Sequence, residues 1–343
     1  MTTSTKAPEN LLKKLRSGHR YVITSHINPD GDAVGSSLGL IRILRAIGKG
    51  AVVWSRDEPP KLYRSLAGSE RIHIGTEPPS GFPDSFDGVI VLECPTLDRC
   101  GLEEQLGDLP VINIDHHLGN EHYGVVNWID TAAPSLGEMI YRLSQGLMVN
   151  LDQETATALY LTLVTDTGGF RFANSSPAAF DAASALVAEG AHPEQVAQWL
   201  YESQPESAVR LLGEMLKTLE IHDGRVATAL VTQEMFESAG ASSSDTEGLI
   251  DHPRSIAGVD AVALIRQVDD DQFKVSLRSR GDIDVEKLAR KKGGGGHRNA
   301  AGYLAEGPID ELRQTVVAEL QDTLSRSHAR ASQIDRQGAR LNM

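Results

Sequence analysis

Two short runs do most to limit how this chain can fold: Gly88-Val89-Ile90-Val91-Leu92 and Val111-Ile112-Asn113-Ile114 are almost wholly apolar and mostly β-branched. A strand with one wet face alternates apolar and polar residues, so runs like these predict strands buried on both faces. Strand-like segments also occur at residues 20–24, 51–55 and 72–74. Between them lie helical patterns. Residues 34–47 place Leu38, Ile41, Leu44 and Ile47 on one face before Gly48, and residues 7–17 do the same with Leu11, Leu12 and Leu15. The alternation predicts an α/β fold with a mostly parallel sheet covered on both faces. Ligands in such sheets gather beyond the carboxyl ends of the strands.

Those ends are where the chain carries chemistry. After the first strand comes Ser25-His26-Ile27-Asn28-Pro29-Asp30-Gly31-Asp32, where Pro29 supplies a fixed φ and Gly31 a permissive one, so that His26, Asp30 and Asp32 can be aimed at one point. Two carboxylates and an imidazole suit a divalent transition ion better than calcium or structural zinc. The same Pro-Asp-Gly-Asp composition also serves an ordinary solvated turn. Glu93 follows the run at 88–92, and Asp115-His116-His117 follow the run at 111–114, so the strand ends converge on one edge. A helix over 135–143 with Ser135 as cap and a buried helix over 154–163 come next. The second leads into Thr165-Asp166-Thr167-Gly168-Gly169, where Asp166 is either a further ligand or a plain helix-terminal carboxylate.

Composition narrows the function. The formal net charge of −14 argues against long nucleic acid held by a broad electrostatic footprint, so any phosphate ligand should be small. Acidic metal ligands would themselves add to that count. No apolar run approaches the roughly 20 residues that cross a bilayer, so no membrane association is expected. The polar amino terminus lacks a secretory signal, which points to the cytoplasm. Cys94 and Cys100 are the only cysteines and have no zinc-site spacing, as expected of small apolar residues in a reducing compartment.

The remaining chain divides at a run of helices over 179–189, 193–201 and 207–219, read as a connector. Strands return at 226–231, 261–268 and 273–277, with Asp269-Asp270-Asp271 as a hairpin tip, and a helix is expected over 246–251 behind the serines at 242–244. This half is basic around Gly293-Gly294-Gly295-Gly296-His297. Such a run is either a flexible linker or, with its flanking cations, an anion cradle completed by His297 and an arginine. The expected layout is a catalytic domain at 1–190, a helical connector at 191–222, a smaller α+β substrate-binding domain at 223–325, with its last helix over 309–325, and a disordered tail at 326–343.

Four segments together, SHINPDGDAVGSS at 25–37, NIDHH at 113–117, TDTGGFRFANSSP at 165–177 and GGGGHRNAAG at 293–302, resemble the DHH phosphoesterase superfamily in its branch with a DHH-associated domain. The match is most similar to the nanoRNase and pAp-phosphatase type. The resemblance implies hydrolysis of short single-stranded oligoribonucleotides and dinucleotides to mononucleotides, and removal of the 3′-phosphate of 3′-phosphoadenosine 5′-phosphate (pAp). It implies a first manganese ion on His26, Asp30 and Glu93 and a second on Asp32, Glu93, His116 and Asp166, with magnesium or cobalt as substitutes. Asp115 would orient His116, His117 would face the scissile phosphate, and Arg99 would match the family arginine after the second strand motif. Arg278, Gly294, Gly295, Gly296 and His297 would bind the nucleotide's other phosphate. One departure stands out: the family position is aspartate, and here it is Glu93, whose extra methylene bears on metal spacing and occupancy.

Two metals can activate a water in line with the P–O bond while His117 and Arg99 offset charge on the phosphoryl oxygens. The alternatives are a phosphodiesterase for linear or cyclic dinucleotide signals, and a metal-impaired nucleotide-binding module. A homodimer is compatible with each.

Overall fold

The computed structural model describes residues 6–341, apart from the side chains of His297 and of residues 328–341. The chain divides into two compact units, Met1–Ser203 and Gln204–Met343. In the first, the elements are α1 (Glu9–Ser17), β1 (Arg20–Thr24), α2 (Gly31–Ala46), β2 (Gly50–Ser55), β3 (His73–Ile74), β4 (Gly88–Leu92), α3 (Glu103–Leu106), β5 (Val111–Asp115), β6 (Val126–Ile129), α4 (Leu136–Leu147), α5 (Gln153–Asp166), α6 (Pro177–Ala188) and α7 (Pro193–Tyr201).

All strand pairs are parallel, in the order β3-β2-β1-β4-β5-β6. The chain builds outward from β1 on one side through β2 and on the other through β4, which leaves a crevice at the carboxyl ends of β1 and β4. Register fixes what meets there. Thr24 pairs with Val91, and Leu92 with Ile114, so the residues just beyond β1, β4 and β5 emerge side by side. On one face Tyr21, Ile23, Ile90 and Ile112 pack against α1, α2, α4 and α5. Each large side chain buried there stabilises the fold by roughly 1.5–3 kcal/mol. The other face is covered differently from the expected pair of helical layers: Val22, Val89 and Val91 lie under α3 and the loops carrying Phe86, Cys94 and Cys100.

Helix α2 begins earlier than its apolar pattern does. Asp30 caps it, accepting from the Ala33 N–H at 3.0 Å, and Gly31 is already helical. Gly31 therefore serves close packing rather than a permissive turn, because a Cβ there would lie 2.6 Å from Thr165 Cγ2 on α5. Gly35 repeats the contact one turn on, where a Cβ would meet the Ala158 carbonyl oxygen at 2.7 Å.

The second unit holds α8 (Glu206–Lys217), β7 (Glu220–His222), β8 (Val226–Val231), α9 (Gln233–Ala239), α10 (Asp251–Arg254), β9 (Ala261–Asp269), β10 (Gln272–Ser279), α11 (Glu286–Lys291), β11 (Gly295–His297), β12 (Ala300–Glu306) and α12 (Ile309–Leu341). Its mixed sheet runs β11-β12-β10-β9-β8-β7, parallel only at β8/β9. The connector helices divide, α7 belonging to the first unit and α8 to the second. Two expectations are corrected, and one open alternative is decided. Most of the helix expected at 246–251 is turn: a 3-10 turn, Ser243–Thr246, precedes it, with Asp245 closing a capping box on Ser242, and α10 starts only at Asp251. The glycine run is no linker: Gly295–His297 pairs antiparallel with β12, and a Cβ at Gly296 would sit 2.4 Å from the Ala300 carbonyl oxygen. The last helix continues through the expected disordered tail to Leu341, over a sequence rich in arginine, alanine and glutamine, which lose little freedom in a helix.

Candidate active site

The crevice is lined by carboxylates delivered from separate elements. Asp32, in the first turn of α2, is buried, and its oxygens accept from the N–H groups of Leu136 at 2.6 Å and Gly137 at 3.1 Å. These are among the donors that the start of α4 leaves unsatisfied, so one helix terminus anchors a carboxylate on another. Glu93 follows β4 with a positive φ of 59°. That region disfavours long side chains and accepts aspartate or asparagine more readily. Asp166 ends α5 and is held by Asn174 Nδ2 at 3.2 Å.

These groups surround His116. Its Nε2 lies 3.4 Å from Glu93 Oε1, 3.7 Å from Asp32 Oδ2 and 3.9 Å from Asp166 Oδ2. Ligand atoms of Asp32, His116 and Asp166 all fall within 4.8 Å of one another, as do those of Glu93, His116 and His117. Two like charges at that separation repel by about 3–4 kcal/mol at an effective dielectric near 20. Burial and the neighbouring carboxylates accordingly raise Asp32 well above its usual range. Burial, only partly offset by His116, pushes Asp166 up to about 6, with Glu93 adding to the rise. For His116 burial works toward the neutral ring, but Glu93, Asp32 and Asp166 outweigh it and the pKa rises.

His26 and Asp30 form a second, looser pair, with Nε2 to Oδ1 at 3.8 Å. Burial favours protonation of Asp30, yet the hydrogen bond and charge of His26 and the Ala33 N–H hold it down to about 2. Among the described residues, these two are not drawn into one tight group with Glu93.

Asp115 holds a different histidine from the one expected. Its Oδ1 accepts from His117 Nδ1 at 2.8 Å and from the His116 and His117 backbone N–H groups at 2.8 and 3.1 Å. Because β5 ends at Asp115 and the chain turns at once, the nearer ring is two residues on, while the His116 ring places Nδ1 3.2 Å from the Ala133 carbonyl oxygen. Asn120 supports Asp115 Oδ2 at 2.7 Å. The Arg99 side chain is exposed, and its carbonyl accepts the Ile27 N–H at 2.9 Å, tying its 3-10 turn to the residue after His26. In the second unit, Arg278 is half-buried on β10, paired with Ala300 of β12. Gly295 and Gly296 pair with β12, Gly294 packs closely against Gly302 and Tyr303 of that strand, and the His297 side chain lies outside the described residues.

Sequence reasoning missed the supports. Asn174 sits within the segment at 165–177 already singled out and Asn120 three residues past the one at 113–117, so both were recoverable as short-range partners of Asp166 and Asp115. The backbone groups of Ala133, Leu136 and Gly137 carry no side-chain signal at all.

Residues 20–163 match the DHH family N-terminal domain, and residues 223–326 match the DHHA1 domain. A bifunctional oligoribonuclease and PAP phosphatase, NrnA, of Thermus thermophilus is 35% identical over 92% of this chain and 93% of its own length. The chain belongs to the DHH family. NrnA of Bacillus subtilis is 27% identical over 85% of this chain and 91% of its own length. The crystal structure of an exopolyphosphatase-related protein from Bacteroides fragilis superposes with a TM-score of 0.86 and 27% identity, covering 93% of this chain and 97% of that one. DHH proteins are metal-dependent hydrolases, and the donor set here fits a divalent ion: oxygens with imidazole, and a buried Glu93 Oε1 that has no hydrogen-bond partner among the described residues. No helix among the described residues is long and apolar enough to cross a membrane.

Proposed function

We propose that this chain hydrolyses short oligoribonucleotides and dinucleotides to mononucleotides and removes the 3′-phosphate of pAp, using two manganese ions. The observation that carries this reading is the ring of Asp32, Glu93 and Asp166 around His116 Nε2, a buried excess of negative charge that calls for a cation. Asp32, Glu93, His116 and Asp166 would hold one ion; His26, Asp30 and Glu93 would hold the other. Bound divalent ions would supply an acidified water and offset charge on the phosphoryl oxygens.

The remaining work belongs to the chain. Asp115 engages Nδ1 of His117, and the ring's Nε2 would face the substrate phosphate. Burial works against a charged ring at His117, but the hydrogen bond to Asp115 and the charge of Glu93 prevail and raise its pKa. A ring held toward its cationic form can donate to a phosphoryl or leaving oxygen. Arg99 would add a second positive group to the phosphate. Arg278 and the glycine strand would bind the nucleotide's other phosphate, and that binding energy can raise kcat as well as lower KM.

The test is turnover of a diribonucleotide and of pAp with Mn²⁺, and again after dialysis against chelator. Metal-dependent release of AMP from both substrates is expected. Full activity in excess chelator would refute the metal role, and a strong preference for pApA or a cyclic dinucleotide would favour a signal phosphodiesterase instead.

A further inference from the structure

One face of the second unit's sheet is only half covered. Over β9, Val262 and Leu264 pack with Leu211, Met215 and Phe236 from α8 and α9. Beyond them, on the same face, β10 presents Lys274, Ser276 and Arg278, since alternate residues of a strand share a side. Lys274 lies directly across from Arg266 on β9, and directly opposed residues point the same way.

Like charges in that position destabilise a sheet. Burial and the adjacent arginines, Arg266 and Arg278, depress Lys274 further. Elsewhere in this unit several cations have a carboxylate partner, as in Lys287–Asp284, Arg290–Glu286 and Lys292–Glu319. Among the described residues neither Arg266 nor Lys274 has a carboxylate within 4.0 Å, although the chain is strongly acidic overall. The floor beside them is low and partly apolar: Gly302 pairs with Ser276, and Leu304, 68% exposed, pairs with Lys274.

We propose that Arg266 and Lys274 form a second phosphate site, which binds a phosphodiester of the oligonucleotide strand beyond the one held at Arg278, with a base or sugar resting on Leu304. Lys274 and Arg278 are four residues apart on one strand, about 13 Å. A ligand that engages both must carry phosphates well separated along a chain. The pair therefore acts on oligonucleotides of several residues and not on pAp, and it sets length preference. This rests on the activity proposed above.

The test uses the full chain with Arg266→Gln and Lys274→Gln combined, and Arg266→Lys as the charge-conserving control. Binding of a fluorescein-labelled pentaribonucleotide is followed by anisotropy in chelator, from low to moderate salt, beside kcat/KM for pAp with Mn²⁺. The double variant should bind about tenfold more weakly, with a salt slope smaller by roughly 1–1.5, as expected for two lost phosphate contacts on a single strand. Its pAp turnover and melting temperature should match the parent's, and Arg266→Lys should bind like the parent. Unchanged pentanucleotide binding, or an equal loss on pAp, overturns the proposal. A parent that binds no oligonucleotide and does not turn over pAp overturns the proposed activity as well, so the two failures are distinct.

Discussion

Replacing Gly35 by alanine sets two effects of known size against each other. Alanine is favoured over glycine in a helix interior by about 0.8–1 kcal/mol, so the change alone should stabilise α2. At this position, however, the new Cβ would stand 2.7 Å from the Ala158 carbonyl oxygen and 2.6 Å from Thr162 Cγ2. One of the clashing atoms is backbone of α5, which cannot turn aside as a side chain can. Overpacking of this kind costs about 1–3 kcal/mol, and the direct backbone contact places it at the upper end. The net expectation is a loss of about 1–2 kcal/mol, or roughly 2–8 °C in melting temperature for a unit of this size. The function should suffer with it, because α2 carries Asp30 and Asp32 while α5 carries Asp166. Gly213 on α8 provides the comparison, since a Cβ there meets nothing within 4 Å and Gly213→Ala should raise stability. Thermal unfolding of both variants by circular dichroism, with dinucleotide turnover in Mn²⁺, decides the matter. A Gly35→Ala protein that melts higher than the parent and is fully active would refute the account of α2/α5 packing.

Asp115→Asn should lower kcat by about 10²–10⁴ while leaving metal affinity unchanged, because Asp115 holds the His117 ring and lies outside the proposed ligand set; titration with Mn²⁺ beside steady-state kinetics separates the two effects. Arg278→Ala should cut turnover of pAp and dinucleotides far more than that of bis-p-nitrophenyl phosphate, which has no second phosphate to bind. Equal losses on all three would place Arg278 in the metal centre or the fold instead.

Much of this was legible in the sequence because its causes are local. Continuous apolar runs at 88–92 and 111–114 fixed the parallel strands, and the sheet rule then placed His26, Glu93 and Asp115 at one edge. Strand β6 escaped because Val126–Ile129 includes Asn127, whose side chain accepts from the Gly124 N–H at 2.9 Å, and so reads as a turn. Gly31 was read for its φ, whereas its role depends on how closely α5 approaches, which sequence does not carry. Which histidine Asp115 holds was equally hidden, because the answer depends on how sharply the chain turns after β5 and on a carbonyl at Ala133. The pairing of Arg266 with Lys274 needed the hairpin register, which becomes defined only once the turn at Asp269–Gln272 is in place.

The most direct test of the metal centre is the ion count of Glu93→Gln. The substitution keeps the shape of a buried side chain whose Oε1 has no hydrogen-bond partner among the described residues and removes its charge. Isothermal titration with Mn²⁺, read beside dinucleotide and pAp turnover, should show the loss of at least one bound ion and of nearly all activity, whereas Glu93→Asp should preserve both and relieve the positive φ. A Glu93→Gln protein that binds two ions and hydrolyses both substrates like the parent would show that Glu93 is no ligand, and would contradict the two-ion reading of this site.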